Sequence, residues 1–149
     1  MPATYKTIAV PDIEILVAMM REFYAIDNYP IDSGISGNLF KEFISDTNLG
    51  KAWLIFSENE VIGYIILTFV FSFEYQGRIA FLDELYLRGK AQGKGIGKQT
   101  LQFIQAEARK LGLKHIYLEV ESHNEKAQQL YLSNDFDFHK RQLMQYKVK

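Results

Sequence analysis

The chain of 149 residues has no cysteine. That excludes disulfides, thiolate metal ligands and a cysteine nucleophile together. It also lacks an excess of either charge: 17 Lys and Arg face 18 Asp and Glu, a net charge of −1. No global basic field exists to draw nucleic acid, and no acidic excess to repel it. Long apolar runs are missing as well. The longest, residues 61–73, is short of the about 20 needed to span a bilayer. It mixes Gly63, Thr68 and Ser72 with β-branched and aromatic residues, as a buried strand does. The opening MPATYKTIAV has no basic segment followed by an apolar run. These absences predict a soluble, cytoplasmic protein without membrane or nucleic-acid partners. What is present is a core: 48% of residues are hydrophobic and 14% aromatic. No linker, repeat or low-complexity block divides the chain, so one packed domain over 1–149 is expected.

Periodicity gives a mixed order of elements. Residues 4–10 read as a strand. Pro11 and Asp12 open a helix whose apolar face is Ile13, Leu16, Val17, Met20 and Phe23. Residues 27–37 are rich in turn formers, with a short helix at 39–45. Strands follow at 51–57 and 61–73, joined by a tight Glu58-Asn59 turn, and another strand at 79–87. A glycine-rich loop, 88–97, leads into a helix with Leu101, Ile104, Ala108 and Leu111 on one face, closed by Gly112. Residues 115–120 read as a strand. A helix at 124–133 is introduced by Ser122-His-Asn-Glu, which has capping-box spacing. Two short strands near 136 and at 144–148 complete the chain. The fold class is α/β: a mostly antiparallel mixed sheet flanked by helices, with one parallel strand–helix–strand unit.

Chemistry concentrates in LYLRGKAQGKGIG, residues 85–97. Glycines at 89, 93, 95 and 97 let backbone approach a ligand closely. The helix N-terminus adds about half a positive charge. Arg88, Lys90, Lys94 and Lys98 add four cations within the eleven residues 88–98. A phosphate or pyrophosphate suits such a loop; a plain strand–helix connector is the competing reading. Neither G-x-x-x-x-G-K-[ST] nor G-x-G-x-x-G fits the spacing.

The sequence resembles the GNAT acetyltransferase superfamily. QGKGIG at 92–97 matches its [RQ]-x-x-G-x-[GA] acyl-CoA signature, and Leu85-Tyr86-Leu87 matches the apolar strand end before it. Asn124, Ala127, Tyr131 and Phe136 match N-x-x-A-x-x-x-Y-x-x-x-G-F, with Asp135 in place of the glycine. Asp tolerates a left-handed backbone, so the turn is retained. VIGY at 61–64 matches the family's hairpin strand.

The resemblance implies the GNAT fold, with a splayed parallel strand pair, and N-acetyl transfer from acetyl-CoA to a primary amine by direct attack. It implies that Gln92, Gly93, Lys94, Gly95, Ile96, Gly97 and Lys98 bind the pyrophosphate. The strand end Leu85, Tyr86 and Leu87, together with Asn124, binds pantetheine; helix capping is the alternative role for Asn124. Tyr131 stands beside the sulfur as general acid and the Leu85 N–H as oxyanion donor. Asp83 and Glu84 are candidate bases, and paired acids here look like those of diamine and polyamine acetyltransferases. Adjacent strand residues face opposite sides, so one carboxylate at most enters the cleft unless a bulge intervenes. The acceptor side is expected from Phe23, Tyr24, Asp27, Tyr29, Phe73, Glu74 and Tyr75, aromatic walls with carboxylates that suit a small cationic amine. A polyamine- or amino-acid-like acceptor leads. A protein N-terminus or lysine, a non-catalytic acyl-CoA-binding module and a generic nucleotide binder are the alternatives. The three histidines show no metal-ligand spacing, and no metal is expected. The C-terminal strands offer an edge for a homodimer.

Overall fold

The computed structural model describes residues 2–149, which form two compact units, one up to Glu119 and one from Val120 onward. The first unit holds a five-stranded sheet in the order β1-β2-β3-β4-β5. Its strands are β1 (Ala3–Thr7), β2 (Gly50–Ser57), β3 (Glu60–Ser72), β4 (Gly77–Leu87) and β5 (Ile116–Tyr117). Its helices are α1 (Ile13–Ile26), α2 (Ser33–Ser45) and α3 (Ile96–Lys110). The β1-β2, β2-β3 and β3-β4 pairs are antiparallel and β4-β5 is parallel, reached through α3.

The first strand ends at Thr7, earlier than its sequence reading. Residues Val10–Asp12 form a 3-10 turn instead, because Asp12 accepts from the Ala9 N–H at 2.9 Å and donates its own N–H back to Ala9 O. In α1, Leu16, Met19 and Met20 are buried. They join Phe40 of α2 and Ala52, Leu54, Tyr64, Ile66 and Tyr86 of the sheet in one core. Each large apolar side chain fully removed from water contributes about 1.5–3 kcal/mol, so this cluster fixes both helices to the sheet.

The helix α2 begins six residues before its predicted start. Asp32 caps it, its carboxylate accepting from the Ile35 N–H at 3.0 Å, and Ser36 and Phe40 bury one face. Cap and packing outweigh the cost of Gly34 and Gly37 within the helix. The β2-β3 turn has positive φ at both Glu58 and Asn59, the twist a two-residue hairpin requires. Gly63 of β3 is forced: a Cβ there would stand 2.1 Å from Tyr86 O. At the end of α3, Leu113 N–H bonds Ala108 O and Gly112 N–H bonds Arg109 O, with Gly112 at φ 71°. This is the glycine stop expected from the sequence.

The strand expected over 115–120 is only two residues long, because pairing with β4 ends at Phe81↔Tyr117. In the second unit, α4 (Glu125–Leu132) is capped by Asn124 rather than Ser122. The two expected C-terminal strands do not form. The segment after α4 has no strand partner, and Phe138, Leu143, Met144, Tyr146 and Val148 are exposed. The expected pairing across a dimer therefore lacks its elements. Among the described residues no helix is long and apolar enough to cross a membrane.

Candidate active site

The strand β4 is irregular where the sequence carries its acids. Ile66 of β3 pairs with Glu84 and Leu67 with Leu82, so Asp83 is an inserted residue, a bulge. The bulge cancels the alternation that would send neighbouring side chains to opposite faces. Asp83 and Glu84 both line one pocket of about 210 Å³, together with Tyr24, Ser36, Phe40 and Ile66. Tyr24 and Glu84 also line a second pocket of about 420 Å³, with Phe23, Asp27, Tyr29 and Pro30. No Lys, Arg or His lines either pocket among the described residues.

Glu84 is held at both oxygens. The Tyr24 hydroxyl donates to Oε2 at 2.5 Å and the Tyr64 hydroxyl to Oε1 at 2.7 Å. Burial pushes its pKa above the usual carboxylate value, while the two hydroxyls pull it back and the neighbouring Asp83 charge adds to the rise. Partial burial raises the Asp83 carboxyl too. Tyr24 and Tyr64 are pushed well above an ordinary phenol, first by burial and then by the Glu84 contact, so both remain donors.

The same strand turns main-chain groups to an open edge. Arg88 N–H bonds Ile62 O at 2.8 Å, and the antiparallel ladder alternates from there. Tyr86 and Glu84 thus face β3 through their backbone, opposite Tyr64 and Ile66, while Leu85 and Leu87 turn theirs to the other edge. On that edge β5 pairing has already ended at Phe81. Consistently, Leu87 O accepts from outside the ladder, from Gln92 Nε2 at 3.0 Å.

Beyond β4 the loop turns at Gly93 and Gly95, with φ of 77° and 78°. Gly95 is the cap of α3 and supplies no side-chain bond. The first N–H to close a turn of α3 from this cap is that of Gln99, on Gly95 O, so those of Ile96, Gly97 and Lys98 lie ahead of the ladder. A Cβ at Gly89, Gly93 or Gly95 would meet nothing within 4 Å, so these glycines leave open space above the backbone donors. Loop and helix end thus fit a pyrophosphate. Two of the four expected cations are committed elsewhere. Arg88 bonds Glu22 at 3.1 and 3.2 Å and Val61 O at 3.2 Å, and Lys90 pairs with Glu60. Lys94 and Lys98 carry no ion pair among the described residues.

Phe73 and Glu74 sit in the β3-β4 turn, at the far end of β4 from Leu85, and line neither pocket. Tyr75 stacks on His115 there, and its hydroxyl meets that of Tyr117 at 2.6 Å. In the second unit, Asn124 caps α4 by accepting from Ala127 N–H at 3.1 Å. Burial raises the Tyr131 phenol, and its ring meets Phe136 edge-on. Asp135 takes φ 71°, the backbone of the glycine it replaces. Sequence reasoning missed Tyr64, which is one residue among many in a long apolar strand until sheet register brings it opposite β4. Among the described residues no cluster of His, Asp or Glu could hold a metal ion.

Residues 15–136 match the model of the Acetyltransferase (GNAT) family, and the chain belongs to it. The D-amino-acid N-acetyltransferase HPA3 of Saccharomyces cerevisiae is 25% identical over 131 residues, 85% of this chain and 80% of that protein. An integron cassette protein from the mobile metagenome of Cole Harbour Salt Marsh superposes with a TM-score of 0.88 at 30% identity. The match covers 97% of this chain and 90% of that one. A predicted acetyltransferase from Clostridium acetobutylicum, solved with acetyl-CoA, shares the fold with a TM-score of 0.81 at 17% identity. It matches 97% of this chain and 96% of its own. The protein is an acyltransferase that uses acetyl-CoA as donor in N-acetyl transfer.

Proposed function

We propose that the acceptor is a small amine with more than one cationic group, a diamine or polyamine in character, acetylated within a single domain over 1–149. One observation carries this reading. The bulge at Asp83 brings two carboxylates onto one aromatic-walled pocket, Asp27 adds a third next door, and among the described residues no cation lines either space. Such a wall attracts ammonium groups by charge and by cation–π contact. An amino acid would carry its own carboxylate into the same acidic surroundings without a partner, which separates this reading from the acceptor named for the yeast relative.

The chain's own residues then divide the work. When bound, acetyl-CoA supplies the activated thioester. Backbone N–H groups at 93–98 hold its pyrophosphate, and the Leu85 and Leu87 edge takes the pantetheine amides. Asp83, through its neighbour Glu84 or through water, accepts the proton that the ammonium must lose before nitrogen bonds the carbonyl carbon. The Leu85 N–H donates to the carbonyl oxygen as negative charge develops there. As the carbon–sulfur bond breaks, the sulfur takes up a proton and the bonded nitrogen gives up its second one; proton donor to the sulfur is the role that the family resemblance implies for Tyr131. Asn124 stays with its helix.

The test is an acetyl-transfer panel of diamines, polyamines, D- and L-amino acids and short peptides, ranked by kcat/KM. Diamines and polyamines are expected to lead by at least about tenfold. A lead for amino acids or peptides overturns the reading.

A further inference from the structure

The two pockets beside β4 have two residues in common, Tyr24 and Glu84, and these two are hydrogen-bonded at 2.5 Å. The pair is therefore the wall between the compartments. On one side lies Asp83 and on the other Asp27, so each compartment has a carboxylate of its own. The wall is stiff. Glu84 is fixed at its other oxygen by Tyr64, which is fully buried, and the Tyr24 ring meets Phe23 edge-on.

We propose that Tyr24 is a specificity-determining residue that limits acceptor length, its ring closing one compartment off from the other and its hydroxyl latching that ring to Glu84. An acceptor longer than one compartment must break a charge-assisted hydrogen bond and turn the ring aside. Deleting the ring joins the two spaces. This inference rests on the cationic-acceptor reading, and the experiment separates the two.

The probes are n-alkylammonium ions of increasing length, ethyl to octyl, titrated by calorimetry into the protein saturated with CoA. In the native protein affinity is expected to rise about fourfold per methylene while the chain fills one compartment, then to stop rising. Tyr24→Phe keeps the ring but loses the latch, and is expected to weaken the stop, so that probes too long for the native protein gain affinity. Tyr24→Ala is expected to move the stop to a longer probe. Unchanged acetyl-CoA protection against thermal unfolding shows that each variant is folded. A stop at the same length in all three proteins overturns the role of Tyr24, as does a native protein that shows no stop. Failure of every alkylammonium to bind the native protein overturns the cationic-acceptor reading itself.

Discussion

The loop at 88–97 and the pockets beside β4 are built by different means. The loop offers backbone: N–H groups ahead of a helix, turned outward by two glycines at positive φ. The pockets offer side chains from α1, α2, β3 and β4, aimed by packing and by hydrogen bonds such as those of Tyr24 and Tyr64 to Glu84. A backbone site is set by local conformation and takes whatever carries the right phosphate. A side-chain site is set by the whole sheet, and it changes with any of its contributors.

If that division holds, damage to one side leaves the other intact. The largest effect is expected from Asp83→Asn with Glu84→Gln. Turnover should fall about 1000-fold, while acetyl-CoA still protects against thermal unfolding. In the native protein kcat/KM should decline on acidification at a pH above the ordinary carboxylate range. Burial raises both acids, and they accept a proton only when ionised. Next comes Gly95→Val, where a β-branched side chain is forced into a left-handed backbone. Acetyl-CoA affinity should drop by about 100-fold, measured by titration, with alkylammonium binding unchanged. A loss of amine binding here would break the comparison.

The smallest effect is expected from Glu22→Gln, about 0.5 kcal/mol of stability, since the ion pair with Arg88 is partly exposed. Arg88 holds the Glu22 carboxyl below its usual value. A group of this kind stabilises the fold above the unfolded carboxylate pKa and loses that contribution as pH falls through its own lower one. Native and variant proteins should therefore melt together at low pH and diverge toward neutrality.

This contrast also explains what the sequence disclosed. The glycines of the loop, Gly112 as helix stop, and the Glu58-Asn59 turn are local demands on φ, and local demands leave a residue type behind. So does Asp135, whose left-handed backbone followed from tolerance of that region. The start of α2 was hidden because Gly34 and Gly37 read as turn formers, and the Asp32 cap became decisive only once Phe40 had a core to enter. Tyr64 and the far placement of Phe73 and Glu74 depend on strand register, which no window of sequence contains. The bulge at Asp83 is a mismatch between two strands, so neither strand records it alone.

The contacts of Arg88 tie the beginning of the loop to α1 through Glu22, and Tyr86 adds a hydroxyl to the same carboxylate at 3.0 Å. Tyr24 stands two residues further along that helix. The loop at 88–97 and the Tyr24–Glu84 pair are thereby tied through one helix, and their mutual order is established when the chain folds. Ligands meet a surface that is already arranged, so little rotational freedom is left to lose at the moment of encounter.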